Sequence, residues 1–313
     1  MASKRVNNVY LNDHFAIAGL AENNKVLKKL IYLKDYYCGM KSIEECEIRM
    51  NEIVLNKLIS DKTKLVIGGN LDNQLTSLSY ALSNRNISYL GIYNACATFA
   101  EGLIIGANMA SFDDMIIITS SHNLVSERQF KYPIEYGSPV KLAATFTTTG
   151  CVGAILSKNS SKLKMESYTI GRVVDYQVSD VTNMGAVMAP SAYETIKQHL
   201  KEMKRSLDYY DLVLTGDLGK YGLNILKDML KEDGIDTDNI MDAGSMLYPN
   251  DNNKAGGSGP VCLPLILFNK ILLNKKYHRL LIVGTGSLHS KVLVDQKLSI
   301  PSISHAVSLE VLK

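Results

Sequence analysis

Cys96 stands between an apolar run, residues 87–93, and a helix-like segment, residues 99–110. A cysteine at such a junction meets the unpaired N–H groups and positive dipole end of a helix. That setting lowers a thiol pKa and attracts anions. The chemistry open to Cys96 is therefore nucleophilic attack or anion binding. Other polar residues fall at comparable turns. Asn70 and Asn73 follow the apolar run 65–67, and Ser121, His122 and Asn123 follow 115–119. Asp217 follows 212–214, and His289 follows 280–284. In open α/β sheets the working groups gather at the carboxyl ends of strands and at helix starts, so these residues form one candidate set. A glycine loop, residues 255–259, precedes a helix-like apolar run from Val261. Amides at Gly256 and Gly257 are suited to a carboxylate or phosphate.

The elements that must position these groups occur twice. Ser42 and Glu45 form a capping box ahead of apolar positions 46, 50, 53, 54 and 58. Ser191 and Glu194 form another ahead of 196, 200 and 203. Each predicted helix is followed by a short apolar strand and a glycine turn: Gly69-Asn70-Leu71 in one case, Gly216-Asp217-Leu218 in the other. Continuously apolar strands of this kind read as buried parallel sheet. Residues 115–119 correspond to 280–284, and a β-like segment closes each half, 147–156 and 302–311. We therefore expect two pseudo-symmetric α/β halves, residues 1–165 and 166–313, with helices layered on mixed sheets.

The 313 residues carry a formal net charge of +3, with 46% hydrophobic and 21% charged residues, as in an ordinary globular protein. Basic residues form no stripe with interleaved aromatics, which argues against a nucleic-acid partner. The five cysteines show no C-x-x-C or zinc spacing, so no metal site is expected, and reduced thiols in a cytosol-like compartment are. The N-terminus has no apolar signal core, and no run reaches the roughly 20 apolar residues of a membrane span. Residues 261–273 read as a core helix.

A duplicated α/β core, a cysteine heading a helix in the first half and a G-G-x-G loop in the second together resemble the thiolase superfamily. Several blocks are similar to one branch of it, the stage V sporulation protein AD family. They are G-G-N-L-D-N-Q (68–74), Y-N-A-C-A-T (93–98), T-S-S-H-N (119–123), E-R-Q-F-K-Y-P-I-E-Y-G (127–137), G-R-V-V-D (171–175), A-V-M-A-P (186–190), L-T-G-D (214–217), the glycine loop and I-P-S-I-S-H (300–305). The chain departs from that pattern at Asn70, where an Asp is usual, and at Pro260-Val261-Cys262. The resemblance implies a thiolase-like fold used to bind dipicolinic acid (pyridine-2,6-dicarboxylate), free or as its calcium chelate, with no cofactor. It implies a soluble component of the SpoVA channel on the cytoplasmic side of the forespore inner membrane, acting with the membrane subunits of that complex. It also implies a homodimer.

Catalysis of the superfamily kind needs a base beside the cysteine. Asn253 and Lys254 precede the glycine loop where thiolases carry a His, and no cysteine follows Cys262. His289 and His305 remain, the latter inside a strand-like run where a structural role is expected. A binding site instead needs N–H donors and an apolar wall. Cys96, His122, Asn123, Asn70, Asn73, Ser121, Gly256 and Gly257 are the expected ligand contacts, with Tyr93 or Phe99 against the ring. Arg128, Lys131 and Glu135, interleaved with aromatic residues, read as a surface loop, a lid or a docking surface. The rival function is a ketoacyl-synthase-type acyltransferase with Cys96 as nucleophile; a third is a scaffold with a vestigial pocket.

Overall fold

The computed structural model describes residues 2–72, 75–109, 114–131, 141–249 and 255–312. Its strands are β1 (Ala2–Arg5), β2 (Tyr10–Ala18), β3 (Ile31–Tyr32), β4 (Thr63–Asn70), β5 (Ser88–Gly91), β6 (Asp114–Ser121), β7 (Phe146–Thr147), β8 (Gly150–Ser157), β9 (Leu163–Ile170), β10 (Leu212–Thr215), β11 (Ile240–Asp242), β12 (Gly257–Ser258), β13 (Arg279–Ser287) and β14 (Ser302–Val311). Its α-helices are α1 (Ile43–Leu58), α2 (Thr76–Leu82), α3 (Thr98–Asn108), α4 (Asn123–Ser126), α5 (Met184–Met203), α6 (Gly219–Glu232), α7 (Ala243–Leu247), α8 (Cys262–Ile266) and α9 (Lys291–Asp295).

The main sheet runs β11-β10-β13-β14-β9-β2-β8-β6-β4-β5. Read outward from its middle, the order is the same on both sides. β4 pairs parallel with β5 and β6, and β8 antiparallel with β6 and β2. In the same way β10 pairs parallel with β11 and β13, and β14 antiparallel with β13 and β9. The two sets meet only where Tyr10 and Leu11 pair with Lys164 and Leu163. Strand β9 spans residues 165 and 166.

Alternation along the strands explains the layers. Met115 and Ile117 of β6 enter one core with Leu65 and Ile67 of β4, while Ile116, Ile118 and Val66 enter another with α1 and α2. Leu280 and Ile282 of β13 join the first core, and Leu281 and Val283 pack with α5 and α6. Both faces of each half-sheet are therefore buried, which is why these strands carry unbroken apolar runs. The shared core holds α3 and α8 between the two half-sheets, giving helix, sheet, helix, sheet, helix. This is the expected two-half, layered α/β fold.

Helix starts followed local chemistry in one half and not the other. Ser42 caps α1 by accepting from the Glu45 N–H at 3.1 Å, as its capping box predicts. The second box does not open α5. That helix starts two turns earlier, where the Asn183 side chain accepts from the Ala186 N–H, and Ser191 lies inside it, bonded to the Met188 carbonyl and to Ser304. The run of small and apolar residues ahead of Ser191 packs on β14, and that burial extends the helix.

Candidate functional site

Helix α3 carries Cys96 just ahead of its N-cap, Ala97. The helix can lie deep between the sheets because its contacts are small. A Cβ on Gly284 would meet the Ala100 Cβ at 2.7 Å, and one on Gly286 would meet the Asn94 carbonyl oxygen at 2.7 Å. Ala95 adopts φ 48°, a left-handed turn before Cys96. Thr98 Oγ1 donates to the Ala95 carbonyl at 2.7 Å and accepts from the Asn94 N–H at 3.0 Å. From the second half, His305 Nε2 shares a 2.8 Å hydrogen bond with the Asn94 side chain while its Nδ1 accepts from the Gly171 N–H at 3.1 Å. His305 thus has the structural role its strand position predicted, and it clamps the turn that presents Cys96.

The Cys96 thiol lies near enough to the Asp217 carboxylate to feel its charge. That carboxylate is fully buried at the end of β10 and is itself cradled. Gly259 N–H donates to Oδ2 at 3.0 Å, Ser258 Oγ to Oδ2 at 3.1 Å, and Thr285 Oγ1 to Oδ1 at 2.7 Å. The anion held at the end of the glycine loop is therefore the chain's own. Burial and the neighbouring Asp217 push the Cys96 thiol well above its usual range, reversing the lowering expected from a helix start. Burial also raises Asp217.

An opening of about 520 Å³, including its solvent-facing mouth, lies over Cys96. Leu71, Tyr93, Phe130, Met184 and Met188 give it apolar walls. Thr145, Thr147, Ser258, Ser287 and His289 add hydroxyls and an imidazole, and no lysine or arginine is among its described lining. The Phe130 and His289 rings lie 5.8 Å apart across it. The mostly apolar lining with a few polar groups suits an aromatic ligand.

The sequence candidates divide by position. Cys96, Tyr93 and His289 line the opening, and Asp217 lies behind the thiol. Phe99 is core, edge-on to Phe268. Ser121 Oγ donates to the Thr148 carbonyl and abuts Gly259, where an added Cβ would lie 3.1 Å away. His122 and Asn123 are buried at the start of α4. His122 Nε2 donates to the Tyr36 carbonyl at 2.9 Å, its Nδ1 has no hydrogen-bond partner among the described residues, and burial lowers its pKa, so it is neutral. Asn123 Nδ2 and Ser126 Oγ are likewise without partners among the described residues. Asn70 bonds to Asp72 and accepts from the Leu78 N–H, tying β4 to α2. The Gly256 carbonyl accepts from the Phe146 N–H, and Gly257 pairs with Phe146 in the two-stranded β7·β12 ladder. Asn73, Glu135 and the aromatic residues 132–136 lie outside the described residues. Of that segment Arg128 pairs with Glu44 at 3.0 Å, and Phe130 reaches the opening.

Sequence reading missed Met184, Met188, Thr145, Thr147, Ser258 and Ser287. The two methionines stand at helical spacing, but the capping box at Ser191 hid the turn that carries them. Thr147, Ser258 and Ser287 each sit at or within one residue of a strand end, the same signal that selected Asn70 and Ser121.

The sequence model of the family described as stage V sporulation protein AD (SpoVAD) matches residues 3–310. Stage V sporulation protein AD of Bacillus subtilis (strain 168) is 35% identical over 319 aligned residues, covering 96% of this chain and 94% of that one. Among solved structures, a variant of OleA from Xanthomonas campestris superposes with TM-score 0.62 at 13% identity, covering 98% of this chain and 99% of that one. OleA with bound cerulenin gives 0.61 at 13% identity, covering 97% and 100%. OleA with bound lauric acid and lauroyl-CoA gives 0.59 at 14% identity, covering 96% and 99%. At these identities the OleA structures establish the thiolase fold alone.

Proposed function

The chain belongs to the stage V sporulation protein AD family, and from that premise we propose that it is a non-catalytic, thiolase-like protein that binds dipicolinate for uptake into the forespore. The observation that carries the non-catalytic reading is the fully buried Asp217 carboxylate, held by Ser258, Gly259 and Thr285 behind Cys96. A thiol needs its thiolate to attack an acyl group. A buried carboxylate beside the sulfur opposes that ionisation.

The same carboxylate shapes what the opening accepts. A bare dianion would meet no described cation and would face Asp217 through the thiol. A one-to-one calcium chelate is neutral, and its pyridine ring suits the walls of Tyr93, Phe130, Met184 and Met188, so the chelate is the favoured ligand. Thr147 supplies a hydroxyl donor to its carboxylates, and Ser287 a second once it releases the Met184 sulfur.

In this proposal the protein works against the SpoVA membrane subunits on the cytoplasmic face of the forespore inner membrane. Among the described residues no helix is long and apolar enough to cross a membrane. A homodimer through β5 is part of the same reading. That strand ends the sheet, and Tyr80, Leu90 and Tyr93 are exposed beside it.

The alternative, acyl transfer on Cys96, is favoured by the lauroyl-CoA bound in the OleA structure of the same fold. Equilibrium dialysis against dipicolinate with calcium, alongside intact-mass analysis after incubation with lauroyl-CoA, separates the two. We expect saturable dipicolinate retention, weakened about tenfold or more in Phe130→Ala, and no acyl adduct. An adduct on wild type that is lost in Cys96→Ala, without dipicolinate retention, would establish the transferase.

A further inference from the structure

Lysines gather on a face away from the opening. Residues 23–31 and 269–277 each carry three lysines and no acid: Lys25, Lys28 and Lys29 in one, Lys270, Lys275 and Lys276 in the other. The fold joins the two segments. The Lys28 N–H donates to the Asn269 carbonyl at 3.0 Å, and the buried Asn269 side chain donates to the Lys28 and Lys29 carbonyls at 3.0 and 3.3 Å. Lys25 and Lys29 adopt φ 69° and 58°, a left-handed backbone that residues other than glycine take at a steric cost. Leu27 and Ile271 are buried in the shared core, and Val26 and Leu30 pack against it. The lysines between these anchors are turned outward: five are exposed, and Lys270 is half-buried. Burial pulls the Lys270 pKa down, and no acid raises it again. Elsewhere exposed lysines pair with acids, Lys141 with Asp180, Lys197 with Asp233 and Lys291 with Asp295. Among the described residues none of these six has an ion pair.

We propose that this lysine face docks the protein on an anionic lipid surface. Lysine is a point charge without the planar fork by which arginine grips a single carboxylate or phosphate, and no arginine stands in either segment. Such charges suit the diffuse field of a headgroup layer, where each lysine near the surface strengthens binding roughly fivefold. Ile31 and Leu273, one from each segment, are exposed beside the lysines, placed to enter the boundary between headgroups and acyl chains. An exposed acid, Asp13, borders the face next to the His14 ring, which stacks on Phe268 at 4.5 Å. The described lining of the opening includes no residue of either segment, so docking and ligand entry use different surfaces. The inference rests on the membrane-side location proposed above, to which it gives a specific face, and requires nothing of the ligand.

The test is co-sedimentation of the full chain with vesicles of phosphatidylcholine alone and of equal parts phosphatidylcholine and phosphatidylglycerol. Wild type should pellet with the anionic vesicles, stay in solution with the neutral ones, and be released as added salt screens the charges. The triple variant Lys25→Gln, Lys28→Gln, Lys29→Gln, confirmed folded by circular dichroism, should bind anionic vesicles about tenfold or more weakly. A second triple variant, Lys57→Gln, Lys201→Gln, Lys231→Gln, removes the same charge from exposed sites on α1, α5 and α6 and should bind as wild type does. Equal loss in the two variants would overturn the proposal in favour of net charge, and equal pelleting with neutral vesicles would overturn it as well. No retention on anionic vesicles would overturn it in favour of an acidic macromolecule on this face. Dipicolinate dialysis of the same preparations reads the ligand proposal separately, so failed docking with intact ligand retention would remove the lipid face alone.

Discussion

At the scale of single residues, the site turns on one buried carboxylate, Asp217. Cys96 has the position of a nucleophile, ahead of a buried helix, but its thiol lies beside a carboxylate that the glycine loop already stabilises. Replacing Asp217 with Asn removes the charge and keeps one acceptor oxygen for the Gly259 N–H, while the Thr285 hydroxyl turns to accept from the amide NH2. Alkylation of Cys96 by iodoacetamide at pH 8 should then accelerate, by about tenfold for each unit the thiol pKa falls. Rates measured against pH on both proteins check this; an unchanged profile would mean that Asp217 does not control the thiol. Much of this site was legible in the sequence. Cys96, Asp217 and His289 were selected because each ends a strand or heads a helix. What the sequence did not carry is that the Asp217 carboxylate lies against the thiol, since that contact joins the two halves and depends on how they face each other. The capture of Asp217 by the Gly259 amide was hidden for the same reason: the loop was read as a cradle with its occupant still to come.

Among the elements, close approach decides the geometry. Gly68 in β4 has the Ile118 carbonyl oxygen 1.9 Å from where a Cβ would lie, and Gly171 after β9 has the Ser304 carbonyl at 1.8 Å. Both neighbours are backbone and cannot step aside. Gly68→Ala and Gly171→Ala should each destabilise the protein by about 3 kcal/mol or more, through forced separation of packed strands. Urea unfolding measures it. Ser42→Ala, which only removes the cap of α1, should cost about 1 kcal/mol. These numbers show where sequence rules succeed. A cap is a local signal, and Ser42 was read correctly. Ser191 and Glu194 present the same pattern inside a helix, where Ser191 is instead bonded to Ser304 across the interface with β14. Local chemistry permitted a start there, and tertiary packing of the preceding turns overrode it. The strands were legible for a global reason: both faces of each half-sheet are covered, so the middle positions of β4, β6, β10 and β13 are apolar and those runs stand out.

On the scale of the whole molecule, two halves with the same strand order enclose a pair of buried helices, and buried histidines brace them within and between the halves. His305 ties β14 to the Cys96 turn, and His199 bridges Thr169 of β9 and Tyr210. Burial lowers each from 6.5 to about 4, so both are neutral in the fold. Their contribution to stability is present above pH 6.5 and is lost as pH falls toward 4, up to about 3 kcal/mol each. Asp72 and Asp242, raised by burial to about 6 and about 7, act in the opposite sense, losing stability as pH climbs from their unfolded values. The difference in unfolding free energy between wild type and His305→Gln should therefore shrink as pH falls from 6.5 to 4. A constant difference would place the His305 effect in packing alone.

The central claim is that this thiolase-like fold serves as a neutral-ligand binding site, with the thiol held protonated beside a buried carboxylate. Calorimetric titration of the protein with dipicolinate, in the presence of calcium and again in its absence, tests it most directly. The account predicts saturable binding with calcium, weakened at least about tenfold when calcium is withheld and the ligand arrives as a dianion. Equal or tighter binding of the free dianion would contradict the role assigned to Asp217 in selecting the chelate, and no binding in either state would contradict the function itself.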